Sequence, residues 1–255
     1  MPIRNIVVSD LTRFNNPSLV CLAGIDLNTG ELLRPLDPKL IDITNKYGYL
    51  SWQKCNDNNI HSGCLISANF EDYVHNPPQR PHVEDIIWNN ESCNVYELPD
   101  SVFYNILISS LAQSMQQGFG IPINDKVISH NNPPQKSIIT LCPNSIGLYL
   151  FEDNKNGNIV KKIKAKINIT FNEGEYSRDL YLPVTDIYLH NHMQNRNDKD
   201  DYNSKLSDKN NKCFIRLGLS RYYDASERDP LDCRKGYWLQ INGIYIFDKQ
   251  GNRIV

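Results

Sequence analysis

The sequence predicts a mainly β protein built from small β-barrels or sandwiches. Two observations carry this reading. Short apolar or alternating runs recur along the chain, each bounded by Gly, Pro or Asn turn signals. Only one stretch holds helical periodicity over several turns, so the β-α-β alternation of a parallel sheet is missing. At 255 residues the chain suits one large β-rich domain or two small ones.

In chain order, Ile3 to Val8 reads as a first strand, and Asp10 to Pro17 as a polar loop. Residues 18–27 and 32–36 read as a hairpin, with Gly30 of Asn28-Thr29-Gly30 at the positive-φ position. Residues 63–73 give a partly alternating strand, and Pro77-Pro78 with Pro81 an extended connector. Residues 99–117 predict the one long helix. Pro99-Asp100-Ser101 starts it, Gly118 stops it, and Val102, Phe103, Ile106, Leu107, Leu111 and Met115 share a face. The loop-like tract 117–134 follows, and the junction between halves falls there.

The second half opens with strands at Ile138–Leu141 and Gly147–Phe151, then the hairpin turn Asn154-Lys155-Asn156-Gly157. Residues 159–171 alternate almost without fault. Ile163, Ala165, Ile167, Ile169 and Phe171 take one face; Lys162, Lys164, Lys166, Asn168 and Thr170 take the other. Residues 178–184 return. Thr185 or Asp186 then caps a short helix over Ile187 to His192. The Asp/Lys/Asn-rich tract 194–212 reads as a mobile loop insertion. Strands at Cys213–Leu219 and Tyr237–Phe247 complete the chain.

Charge is almost balanced, 27 basic against 29 acidic residues, so any basic footprint is local. With a mean hydropathy of -0.49 and no run of about 18 apolar residues, a soluble, cytoplasmic protein without a membrane partner is expected. Seven cysteines, an odd number without a CxxC pair, suit free thiols in a reducing compartment.

Several segments, in order, resemble the dual OB-containing domain family, small prokaryotic proteins with two predicted OB-like barrels. In the first half these are Cys21-Leu22-Ala23-Gly24-Ile25-Asp26 with Gly30 and Leu33-Arg34-Pro35, and Pro81-His82-Val83-Glu84-Asp85 with Trp88. In the second half they are Ser145-Ile146-Gly147-Leu148, Leu182-Pro183-Val184-Thr185-Asp186, Phe214-Ile215-Arg216-Leu217-Gly218-Leu219-Ser220-Arg221, and Gly236 to Tyr245. The chain departs in having Leu32-Leu33 where a Trp is expected before Arg-Pro, and a longer 194–212 insertion. The resemblance implies two OB-like barrels or small β-barrel halves, residues 1–125 and 126–255, with one connecting helix and a polar loop insertion. It also implies a role in nucleic-acid recognition; the reading of the chain as a whole is a non-catalytic recognition module, acting on single strands, within a multi-component system that supplies other subunits. That step from fold to function is analogy.

OB folds bind single strands with aromatic rings for the bases and Arg or Lys for the backbone. Arg34, Arg216, Arg221, Tyr222 and Tyr223 offer that mixture. The competing reading of the arginines is a structural pair with a carboxylate such as Asp26 or Asp186. Lys162, Lys164 and Lys166, with Lys155 and Lys161, form a cationic face suited to phosphates. No aromatic residue interleaves them on that face, which favours a solvated face whose lysines deter edge-to-edge pairing.

Metal and cofactor sites are not expected. Cys55, His61 and Cys64 lack a fourth ligand at a usual spacing; His190 with His192, and His75 and His82, are weaker still. Glu84-Asp85 with His82 is the one acid–base constellation, and no GxSxG, HExxH, P-loop or GxGxxG accompanies it. A protein-interaction subunit or an enzyme are the alternatives to nucleic-acid recognition.

Overall fold

The computed structural model describes residues 3–14, 16–40, 48–73, 80–123, 125–155, 158–171, 177–193 and 195–255. The Pro77-Pro78 connector, His75 and part of the Asn154–Gly157 turn lie outside them. The chain is mainly β, with few helices, and forms two compact units: residues 1–79 with 83–110, and residues 80–82 with 111–255.

The first unit is a closed five-stranded barrel. Strand β1 (Ile3–Arg13) pairs with β2 (Leu19–Asp26) from Ile6↔Asp26 to Arg13↔Val20. β2 turns into β3 (Leu32–Leu36), followed by the short β4 (Leu50–Ser51) and α1 (Trp52–Asp57). β5 (Leu65–Asp72) pairs with the first half of β1, and β6 (Asp85–Tyr96) closes the circuit. It runs antiparallel to β5 and parallel to β3, giving the circular order β1-β2-β3-β6-β5. That is the Greek-key order of an OB-like barrel. A bulge between Val8 and Asp10 bends β1 so that one strand serves two neighbours. Helix α2 (Asp100–Ser109) ends the unit, burying Phe103, Ile106 and Leu107.

Two local features of this barrel have direct physical causes. A Cβ on Gly24 would collide with the Ile6 side chain and the Val7 carbonyl, so β1 and β2 meet this closely only over a glycine. The β2–β3 turn is held by the Asp26 carboxylate, which accepts the Asn28 N–H at 2.8 Å, with Gly30 at φ 72°.

The second unit opens with α3 (Met115–Phe119) and β7 (Val127–Ile128). Strands β8 (Ile138–Leu141), β9 (Ser145–Lys155), β10 (Asn158–Thr170) and β11 (Ser177–Pro183) follow. Helices α4 (Ile187–His192) and α5 (Arg196–Ser207) precede β12 (Lys212–Leu219), β13 (Tyr223–Asp224) and β14 (Lys235–Phe247). β9, β10 and β11 make one sheet; β13, β14, β12 and β8 make another, with β7 on β14. A parallel bridge from Val184 to Ile241 links the end of β11 to β14. The inward residues Ile163, Ala165, Ile167 and Ile169 of β10 pack in one core with Leu182, Ile215, Leu217 and Ile241.

Several expectations are corrected. β1 runs on through Asp10 and Thr12, both buried, so the polar segment 10–13 is strand and not loop. The predicted 99–117 helix is two helices. Leu111 bridges to Thr140 between them, the Ser114 hydroxyl caps α3 by accepting the Gln117 N–H, and Gly120 rather than Gly118 ends it in the left-handed region. Most of the 194–212 tract is helix. Asn195 and Asp198 form a capping box, Tyr202 is buried, and Asn203 clamps the β9 edge. Its side chain accepts the Leu148 N–H at 2.7 Å and donates to the Leu148 carbonyl at 3.0 Å. The insertion thereby covers an open strand edge.

Candidate nucleic-acid interface

On the outer face of the β9–β10–β11 sheet, the alternation of β10 turns Lys162, Lys164 and Lys166 outward. Residues directly opposite on antiparallel strands share a face. β9 sets Phe151 opposite Lys162 and Tyr149 opposite Lys164; β11 sets Tyr181 opposite Lys166. The three rings are 44 %, 42 % and 56 % exposed. Their centroids step across the face, 6.5 Å from Phe151 to Tyr149 and 6.3 Å from Tyr149 to Tyr181. The Lys164 ammonium lies 5.1 Å from the Phe151 centroid, and that of Lys166 lies 5.8 Å from Tyr181. The expectation that this face lacks aromatic residues is corrected: the strands on either side of β10 supply them. The side chain of Lys155 lies outside the described residues.

The face also carries a polar chain. Lys166 Nζ is 2.7 Å from Asp179 Oδ2, Asn168 Nδ2 donates to Asp179 Oδ1 at 2.8 Å, and Asn144 Nδ2 donates to Asn168 Oδ1 at 3.0 Å. Hydrogen bonds from Lys166 and then Asn168 hold the Asp179 carboxyl below its usual range. The bond to Asp179 raises the Lys166 ammonium in turn. Lys164 has no carboxylate within ion-pair distance among the described residues. Opposite Lys166 on β9 is Gly147, where a Cβ would meet nothing within 4 Å, so the face is open there.

Burial removes two of the predicted arginines from any interface. Arg34 is 4 % exposed, and its Nε and Nη2 both reach Asp85 Oδ1 at 2.5 Å. Its partner is a carboxylate, as the competing reading held, but Asp85 and not Asp26 or Asp186. Burial opposes the Arg34 charge, yet Asp85, with smaller contributions from Cys21, Glu84 and Tyr49, outweighs it and raises the pKa. Arg216 is 2 % exposed and donates from Nη1 to Thr140 Oγ1 at 2.7 Å, across the β12–β8 pairing.

Arg221, Tyr222 and Tyr223 belong to a different region of the second unit, the β12–β14 connection. Tyr222 stands edge-on to His130 at 5.2 Å and to Tyr237 at 6.5 Å, and Tyr223 edge-on to Trp238 at 6.3 Å. Arg234 lies over the Trp238 ring at 4.8 Å while bound to Asp232, and Lys235 pairs with Asp224 at 2.6 Å. Leu231 is 91 % exposed at the tip. The cations most prominent here are already neutralised.

The metal candidates do not assemble. Cys55 and Cys64 are buried, which pushes their thiols up to about 12 and about 11. His61 points away to Glu97 at 2.8 Å. His190 and His192 donate to the Val184 and Tyr188 carbonyls at 2.9 and 2.8 Å. Among the described residues, no group of three His, Cys, Asp or Glu is placed to hold a metal ion. Of the acid–base constellation, Asp85 is engaged with Arg34, and His82 donates to the Ser220 carbonyl at 3.1 Å. No helix among the described residues is long and apolar enough to cross a membrane.

No family model and no curated protein matches the chain. Among solved structures it is similar to one described as "Structure of murine DNA binding protein bound with ds DNA". The likeness spans 95 % of this chain and 99 % of that one, at 9 % identity and a TM-score of 0.29. Similarity at that level carries no argument about fold or function.

Proposed function

We propose that the chain is a non-catalytic module that binds single-stranded nucleic acid on the outer face of β9, β10 and β11. One observation carries the reading: Phe151, Tyr149 and Tyr181 stand in register with Lys162, Lys164 and Lys166 on one exposed sheet face. Rings that stack bases beside cations that track the backbone are what sequence-tolerant single-strand binding needs. Lysines two residues apart on a strand repeat every ~6.6 Å. That step is close to the 6.3–6.5 Å between ring centroids, so each step offers one base platform and one phosphate contact. A duplex keeps its base faces stacked inside and cannot use the rings.

Connectivity supports the same face. Taking β8 and β9 as one strand broken at Pro143, the second unit follows the order β8/β9-β10-β11-β14-β12, with α4 and α5 between its third and fourth strands. We read it as a second OB-like barrel. β10 and β11 are then its second and third strands, the pair on which OB folds bind oligonucleotides. The test is fluorescence anisotropy with labelled single- and double-stranded DNA and RNA at several salt concentrations. Salt-dependent binding of single strands, weakened by Tyr149→Ala and Tyr181→Ala, is expected; no binding at low salt overturns the reading.

A protein-interaction role is favoured by one separate observation, the exposed Tyr222, Tyr223 and Leu231 beside the internally neutralised Arg234 and Lys235. Tyr and Arg are the residues that carry protein interfaces. A stoichiometric protein partner, with no bound nucleic acid, would make that the working reading.

A further inference from the structure

The aromatic steps end at Tyr181, and the next outward residue on β11 is Asp179, opposite Asn168. An acid at the end of a phosphate-tracking face repels the backbone. As an exposed ion pair with Lys166 it adds little to stability. Its geometry fits another task.

Resting on the single-strand reading, we infer that Asp179 and Lys166 select guanine at the position stacked on Tyr181, by reading the base's Watson–Crick edge. A carboxylate presents about four lone-pair positions, and Asp179 has committed one on Oδ1 to Asn168 and one on Oδ2 to Lys166. The side chain is 45 % exposed, so the carboxylate can be reached from solvent. Guanine presents two adjacent donors on that edge, N1–H and the 2-amino group, beside the acceptor O6. Adenine presents a donor next to an acceptor. Cytosine, thymine and uracil present no adjacent donor pair. The paired donors match the two carboxylate oxygens, and the Lys166 ammonium, with two N–H bonds beyond its bond to Asp179, supplies the donor for O6.

Placement and support agree with this. Asp179 lies two residues from Tyr181 on the same face, ~6.6 Å along the strand, within the reach of a base stacked on that ring. Gly147, across Lys166 from Tyr181, leaves the floor on the far side of that lysine without a side chain. The Asn144–Asn168 bond holds the Asn168 amide so that its N–H₂ points at Asp179 and fixes the carboxylate.

The experiment compares, by anisotropy with the full chain, three labelled oligonucleotides: an oligothymidylate, the same strand with one central guanine, and the same strand with inosine there. Inosine keeps N1–H and O6 and lacks the 2-amino donor. The guanine strand is expected to bind about tenfold more tightly than the oligothymidylate, the scale of a modest bidentate base contact. Inosine is expected to lose most of that preference. In Asp179→Asn the guanine-to-thymine affinity ratio falls to one, whatever the absolute affinities become. Equal affinities for guanine and thymine strands in the wild type, or a ratio that survives Asp179→Asn, overturn the inference and leave single-strand binding standing. Failure of every strand to bind overturns the single-strand reading and this inference with it.

Discussion

Arg34 and Asp85 stand opposite each other on the parallel strands β3 and β6, and two guanidinium nitrogens converge on one carboxylate oxygen. This pair ties together the one parallel seam of the first barrel among the described residues, at the Arg-Pro segment that stands out in the sequence. Both side chains are out of water, so each charge depends on the other. Removing one partner from a buried pair costs about 3–5 kcal/mol, because an uncompensated charge is left behind. Arg34→Ala and Asp85→Ala are each expected to lower the unfolding free energy by that scale, read from urea titrations as a lower midpoint. The double variant Arg34→Met with Asp85→Leu is expected to recover much of the loss. Equal loss in the single and double variants would show that the pair is not the cause.

The lysines of β10 are expected to act on binding and not on folding. Each phosphate contact on a single strand releases counterions and contributes about 0.7 to the slope of log K against log salt. Lys164→Ala is expected to lower the slope by that amount and leave the melting temperature within a few degrees, since its contact is with a ring and not an acid. Lys166→Ala is expected to change the slope less, because the ammonium already sits on Asp179. Salt titrations of the two variants test this order.

The rings are expected to contribute regardless of salt. Alanine at a base-stacking aromatic costs about 1–3 kcal/mol of binding. Tyr149, central to the three rings, is expected to show the largest effect, and Tyr149→Phe to retain binding. Substituting Tyr222 or Tyr223 is expected to leave single-strand affinity unchanged, as these rings belong to the β12–β14 connection. A loss at Tyr222→Ala equal to that at Tyr149→Ala would move the interface.

Much of this fold is legible in the sequence where one strand carries its own pattern. The β10 alternation, the Asn28-Thr29-Gly30 turn and a cap at Thr185 or Asp186 are local; the structure has the first two and puts the cap on Asp186. Asp85–Tyr96 carries no strand pattern of its own, because Asn, Glu and Ser interrupt its apolar residues; it is a strand because β3 and β5 pair with it on either side. Asp10 and Thr12 read as loop because they are polar, yet β1 continues through them along β2, opposite Ala23 and Cys21. The candidate interface was half visible for the same reason. Its lysines lie on one strand, but Phe151, Tyr149 and Tyr181 reach them through register, a relation between strands that spacing along any one of them does not contain. The arginines failed in the opposite direction: a charged residue in an apolar run reads equally as a surface contact or a buried pair, and only the position of Asp85 and Thr140 decides.

Asp186 offers the clearest pH dependence. It is buried at the N-cap of α4, where Oδ1 accepts the N–H groups of Tyr188 and Leu189 at 2.8 and 3.2 Å, and Oδ2 accepts that of Ile244 at 3.4 Å. Burial pushes its carboxyl up from 3.8 to about 6, against the pull of these bonds and of Arg253. Tyr202 is a further titrating neighbour, itself pushed above its usual range by burial. A folded-state pKa above the unfolded one means that the native protein holds its proton longer as pH rises. Between about pH 4 and pH 6 the unfolded chain binds fewer protons than the native one, so stability falls across that window and the loss is complete above it. A shift of this size corresponds to roughly 3 kcal/mol. Asp186→Asn keeps an oxygen for the α4 cap and carries no charge. It is expected to be more stable than the wild type at pH 7.5, and to lack this contribution to the decline between pH 4 and 6. Urea midpoints at pH 4.5 and 7.5 for the two proteins measure it. If Asp186→Asn lowers stability at both pH values alike, the carboxylate is acting through its bonds to both α4 and Ile244 and not through its buried charge.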